Sequence, residues 1–368
     1  MKKTILALAI PSLMMAQASA IEIYDDGQNK VTIGGRAEMI LNDGTNRDLD
    51  AHSGSSRINF GFERQINDDL SIDAFAEWKV DYLANGKDDV VTNRLGYMTF
   101  NSDVAGAFRA GKQWGAVYPV FGATDVIFVS DHDAGGIYQV DDGGTSGAGR
   151  ADKTLAWSHT FNNVYIGAQY GLQNELESTS TTSLDRDRNA GAAAVYSLDM
   201  GLDLGVAYTE SRLKGNGGDT WNGLKDGDKI KATALSAIYK QNGVHIAATY
   251  VDGKNYHATG FQANSISTSN PGSDNSARMG DAKAFDLYGA YKFDNGFEPY
   301  AYLSVVDFDK NELQGIDGKR STYLAGVVYH IDEKVQVGGE YRRVESKEDT
   351  RRGDFSDNHV GLKVRYFF

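Results

Sequence analysis

The chain has 368 residues, with 37 lysines and arginines against 50 aspartates and glutamates, a net charge of −13, and no cysteine. That acidic balance argues against nucleic acid as a partner, and the lack of cysteine excludes disulfides and thiolate metal sites. Twenty tyrosines, sixteen phenylalanines and 42 glycines against only four prolines suit many strands joined by flexible turns.

The first predicted element is a leader. Met1-Lys2-Lys3 precedes an apolar stretch over 5–15 and then Ala18-Ser19-Ala20, which gives a positive n-region, an h-region and a small-x-small cleavage site. The apolar core falls short of the ~20 residues a spanning helix needs, and Pro11 interrupts it. Residues 1–20 therefore read as a signal peptide, leaving a single mature domain over 21–368. Losing Lys2 and Lys3 makes that domain still more acidic. No mature segment approaches a transmembrane helix, so export points to periplasm, secretion or outer membrane.

From residue 30 onward the chain alternates at period two. Val31, Ile33, Gly35, Ala37, Met39 and Leu41 share one face, and Thr32, Gly34, Arg36 and Glu38 the other. Ile58, Phe60 and Phe62 oppose Arg57, Asn59 and Glu63; Ile72, Ala74, Ala76, Trp78 and Val80 oppose Asp73, Glu77 and Lys79. Such alternation predicts strands with one apolar and one polar face. Shorter versions follow at 94–100 and 107–114. Later come 153–160, 164–172, 189–198, 202–212, 231–241, 244–251, 283–293, 297–307, 321–331, 335–343 and 359–368, for sixteen strands in all.

Tight turns such as Asn67-Asp68-Asp69, Asp199-Met200-Gly201, Asn242-Gly243 and Asp294-Asn295-Gly296 join alternate pairs. Longer polar loops lie between them at 42–54, 84–92, 115–149, 173–188, 213–227, 252–282, 308–320 and 344–357. Strict alternation of short and long connections is the pattern of an outer-membrane barrel. A water-soluble barrel or sandwich also alternates. Strands of about ten residues favour the membrane version, because a tilted spanning strand needs that length. So do the aromatic residues near strand ends, among them Trp78, Tyr82, Tyr250, Tyr291 and Phe368. The predicted fold class is all-β, a 16-stranded antiparallel transmembrane β-barrel.

The loop over 115–149 is far longer than a hairpin needs. It carries Asp125, Asp131, Asp133, Asp141 and Asp142, yet also the apolar run Val126-Ile127-Phe128-Val129, which argues that it packs against something. It is expected to fold into the barrel and narrow it.

The mature start Ile21-Glu22-Ile23-Tyr24-Asp25-Asp26-Gly27, Asn93-Arg94-Leu95, the 111–118 approach to the long loop, Thr124-Asp125 and the terminal Phe368 resemble the Gram-negative general porins. The resemblance implies a trimeric, water-filled barrel passing small hydrophilic solutes and ions, with outer-membrane lipid and lipopolysaccharide as surroundings. It also implies a third loop forming the constriction opposite a basic wall, here Arg36, Arg57, Arg94 and Arg150. Asp133, with Asp131 beside it, best matches the family's loop acid. The family's Pro-Glu-Phe-Gly-Gly is absent, and Phe128-Val129-Ser130-Asp131-His132 stands in its place.

Counting the arginines against the loop acids gives rough neutrality. Acids on polar strand faces (Glu38, Glu63, Asp73, Glu77, Asp81) tip the mouth negative, which predicts a modest cation preference. Other chemistry is weaker. Asp307-Phe308-Asp309 begins like a calcium loop, but its sixth position is Glu312 and its twelfth Gly318. Asp131-His132-Asp133 has no identifiable partner for metal or hydrolase chemistry. Neither an enzyme nor a cofactor is expected, and the alternative function is a barrel acting mainly as an adhesin or receptor.

Overall fold

A computed structural model describes residues 20–45, 47–84, 90–130, 135–138, 143–175, 184–215, 220–221, 223–258, 279–311, 316–348 and 354–368. The leader over 1–19 lies outside them. Sixteen long strands form one antiparallel barrel. They are β1 (Asn29–Gly44), β2 (Arg57–Gln65), β3 (Leu70–Val80), β4 (Val91–Ser102), β5 (Gly106–Trp114), β6 (Arg150–Phe161), β7 (Val164–Gly171) and β8 (Leu184–Leu198). The second half is β9 (Leu202–Gly215), β10 (Lys229–Gln241), β11 (Val244–Ala258), β12 (Met279–Tyr291), β13 (Phe297–Asn311), β14 (Ile316–His330), β15 (Val335–Glu348) and β16 (Phe355–Phe367). Pairing of β16 with β1, from Arg36↔Phe367 to Gly44↔His359, closes the cylinder. The segment Ile21–Asp25 continues the seam by pairing with the start of β1.

Burial separates the membrane barrel from a soluble one. Along β16, Val360, Leu362, Val364 and Tyr366 are 46–56 % exposed, whereas His359 and Lys363 are 2 % and 6 % exposed. The same inversion runs round the barrel: Met39, Phe62, Met98, Leu155, Leu235 and Phe285 face outward, and Glu38, Asn59, Glu77, Thr99 and Asp286 face inward. A soluble barrel buries its apolar face, while a barrel in lipid exposes it and keeps a polar lumen.

At the short-turn end, Asn242 and Gly243 have φ of 52° and 80°, the pair of left-handed residues a type I′ hairpin requires. At the long-loop end the strands outrun the predicted limits. β8 begins at Leu184, β11 reaches Ala258 and β15 reaches Glu348. Apolar–polar alternation stops where lipid stops, but the hydrogen-bond ladder continues in water. Short strands also lie within the predicted loops, as at Arg47–His52, which pairs with β1. Gly35, on the apolar face by alternation, is covered: a Cβ there would stand 2.7 Å from the Phe368 ring. Ala37, on the same face, is exposed.

The long loop enters the barrel. Its first turn is a four-residue helix, α1 (Tyr118–Phe121), with Pro119 in the opening turn where its missing N–H costs nothing. Val117, Val120 and Phe121 are fully buried against Ala193, Ala207, Ala234 and Val251 of β8 to β11. Phe128 and Val129 pack on another part of the interior, with Ile40, Tyr288, Tyr300 and Leu324. The apolar run thus finds its cover across the lumen, as its composition required.

Candidate pore constriction

Period-two geometry aims Arg36 and Glu38 of β1, Arg57 of β2 and Glu77 of β3 into the lumen. Arg94 has the parity of the outward Met98 and Phe100, and a bulge in β4, where pairing steps from Glu77↔Leu95 to Trp78↔Asn93, turns it inward to Glu77. Antiparallel register then brings them together, with Arg36 opposite Arg57 and Arg57 opposite Lys79. Glu77 Oε1 accepts from Arg57 Nη1 at 3.3 Å and Arg94 Nε at 2.9 Å. Glu38 Oε1 pairs with Arg36, whose Nε lies 2.8 Å away, and the backbone N–H of Ser55 donates to its second oxygen at 2.7 Å. Arg36 and Arg57 also donate to the Ser55 carbonyl, each at 3.2 Å. These bonds repay part of the cost of desolvating charge.

Two further cations come from the last strand. Arg365 Nε donates to Glu38 at 2.6 Å, and Lys363 Nζ lies 3.4 Å from it. The strip therefore holds five cations on two carboxylates. Lys363 and Arg365 alternate with Leu362 and Val364, so their inward aim was readable. Their place beside Arg36 follows from ring closure, which a linear reading does not supply.

Arg150 adds aromatic contacts. It opens β6 and is 4 % exposed, with its guanidinium 5.4 Å from the Trp114 ring and 5.6 Å from the Tyr138 ring. Cation–π contact of this kind holds the loop's Tyr138 to the wall. Asp125 is likewise engaged within the loop: its Oδ2 accepts from the hydroxyls of Tyr118 at 2.6 Å and Tyr138 at 2.7 Å. Asp131, Asp133, Asp141 and Asp142 lie outside the described residues, so Asp125 alone of the loop acids has a described place.

The loop's outgoing limb is tied to the wall of β12, β15 and β16. Thr124 Oγ1 donates to Asp286 at 3.0 Å, and Tyr302 donates to the same carboxylate at 2.7 Å. Ser130 and Tyr300 both donate to Glu340, the latter at 2.7 Å. Lys363 Nζ donates to the Phe128 carbonyl at 2.6 Å, and the Phe128 ring lies 4.8 Å from the Arg365 guanidinium. Asp286 and Glu340 are inward acids that the sequence reading passed over; alternation with Phe285, Leu287 and Tyr341 was their signal. Among the described residues no cluster of three or more histidines or acids could hold a metal ion.

A family model described as Gram-negative porin matches residues 4–368. Outer membrane porin F of Salmonella typhi is 27 % identical across 98 % of this chain and 96 % of its own length. Outer membrane porin N of Escherichia coli strain K12 is 27 % identical with 100 % of both chains covered. The structure of Salmonella typhi OmpF in complex with daunomycin aligns with a TM-score of 0.73 at 22 % identity, over 95 % of this chain and 100 % of that one.

Proposed function

The chain belongs to the Gram-negative porin family and is a β-barrel channel of the outer membrane, and on that premise we propose that it passes small hydrophilic solutes and ions by passive diffusion with a modest preference for cations. One observation carries the reading: polar side chains line the interior, apolar ones face outward, and a long loop crosses inside. Its relatives are porins rather than enzymes. Residues 1–20 leave at export, and the mature chain works as a homotrimer among outer-membrane lipid and lipopolysaccharide.

In this reading the loop over 115–149 is the constriction. Arg36, Arg57, Arg94, Lys363 and Arg365 form its basic wall, and Arg150 braces the loop. Glu38 and Glu77 already offset part of that wall. Asp125, Asp131, Asp133, Asp141 and Asp142 in the loop, with Asp286 and Glu340 opposite, outnumber the remaining cations. At 0.1 M salt the Debye length is ~10 Å, so charges at the constriction decide selectivity and distant ones are muted. The zero-current potential under a KCl gradient tests this. Cation preference is expected to strengthen at low salt, to weaken in Asp131→Asn/Asp133→Asn and to strengthen in Arg57→Ala/Arg94→Ala. Anion preference in the parent channel contradicts the proposal.

A further inference from the structure

The loop's return limb meets a rail of side-chain donors on the inner wall of β7, β8 and β9. Four consecutive loop carbonyls each accept from it. Arg186, fully buried on β8, donates to Gly144 O; Ser211 Oγ donates to Thr145 O at 2.6 Å; Asn189 Nδ2 to Ser146 O at 2.9 Å; Gln169 Nε2 to Gly147 O at 2.8 Å. Arg186 also donates to the wall carbonyls of Asp152 at 2.6 Å and Leu172 at 2.9 Å. One guanidinium thereby joins the loop to β6 and to the segment after β7. The approach is close: Gly147 has φ of 74°, and a Cβ there would stand 2.4 Å from Asn189 Oδ1.

A buried guanidinium is costly unless its protons are satisfied, and here backbone carbonyls accept four hydrogen bonds from it. The planar fork reaches several acceptors at once, which a lysine ammonium, a point charge on a flexible stem, does not reproduce. We propose that Arg186 is a positioning residue for conduction, fixing the return limb to one wall and so setting the width left open beside it. This rests on the reading of 115–149 as the constriction.

Planar-bilayer recordings of the full-length parent, R186M, R186K and a deletion of 128–144 test the two ideas separately. The deletion is expected to raise single-channel conductance. R186M is expected to shift conductance toward the deletion's value with added open-channel noise, and R186K to fall between R186M and the parent. An unchanged conductance in the deletion fells the constriction reading. A raised conductance there, with R186M conducting as the parent does, fells the role of Arg186 alone. A barrel-bracing role would lower thermal stability without moving conductance. Should R186M fail to assemble, Gly147→Ala, which displaces the same limb from the loop side, decides: parent-like conductance overturns the proposal.

Discussion

Glu38 balances three cations, Arg36, Lys363 and Arg365, with a side chain that is itself fully buried. Glu38→Gln preserves shape but leaves those cations facing one another. Removing one member of a dry ion-pair network costs about 3–5 kcal/mol; lumen water reaching Arg36 and Arg365, 19 % and 14 % exposed, reduces that here. The expected outcome is a lower unfolding midpoint in detergent and a zero-current potential displaced toward anions; an unchanged potential would contradict the placement of Glu38 at the constriction. Asp26 offers a pH test outside the membrane. In the turn before β1, the backbone N–H of Asn29, then its side-chain amide and the N–H of Gln28, hold the Asp26 carboxyl well below the usual range. A depressed folded value means the contribution is present above the unfolded value of ~4 and is lost as pH falls below it. Asp26→Asn is therefore expected to flatten the acid limb of the stability profile below that pH.

Strands were the most legible elements, because a face in lipid and a face in water impose period two on every residue between them. Their outer ends were less so: beyond the lipid edge both faces meet water, the pattern lapses, and β11 runs on to Ala258 unannounced. The inward loop was readable from length and from Val126 to Val129. Its helix α1 was not, since four residues carry no period. Arg36 and Arg57 were legible by parity, whereas Arg94 came from the resemblance alone, its parity being overturned by a bulge. The tyrosine hydroxyls on Asp125, the rings on Arg150 and the approach of Lys363 to Glu38 are tertiary facts with no local signal. Turn chemistry was fully local. At Gly243 a Cβ would stand 2.6 Å from the Lys292 carbonyl, with φ at 80°. Gly243→Ala should cost at least the ~1–2 kcal/mol of a left-handed non-glycine residue, measured as a lower urea midpoint; a neutral effect would mean the turn relaxes freely.

The molecule as a whole exchanges the usual arrangement of a soluble protein for its inverse, and each larger claim follows from that. Its apolar outside requires lipid or another copy, and the proposed trimer predicts an oligomer on native electrophoresis that dissociates on boiling; a monomer at every temperature would contradict it. The polar inside, into which the loop folds, should conduct as a column of water rather than as a row of binding sites. The direct measurement is single-channel conductance of the purified protein in a planar bilayer across a range of KCl concentrations. The account predicts discrete steps whose size rises in proportion to the conductivity of the bathing salt. A folded, heat-modifiable barrel that gives no steps at any concentration, as a plugged adhesin or receptor would, contradicts it.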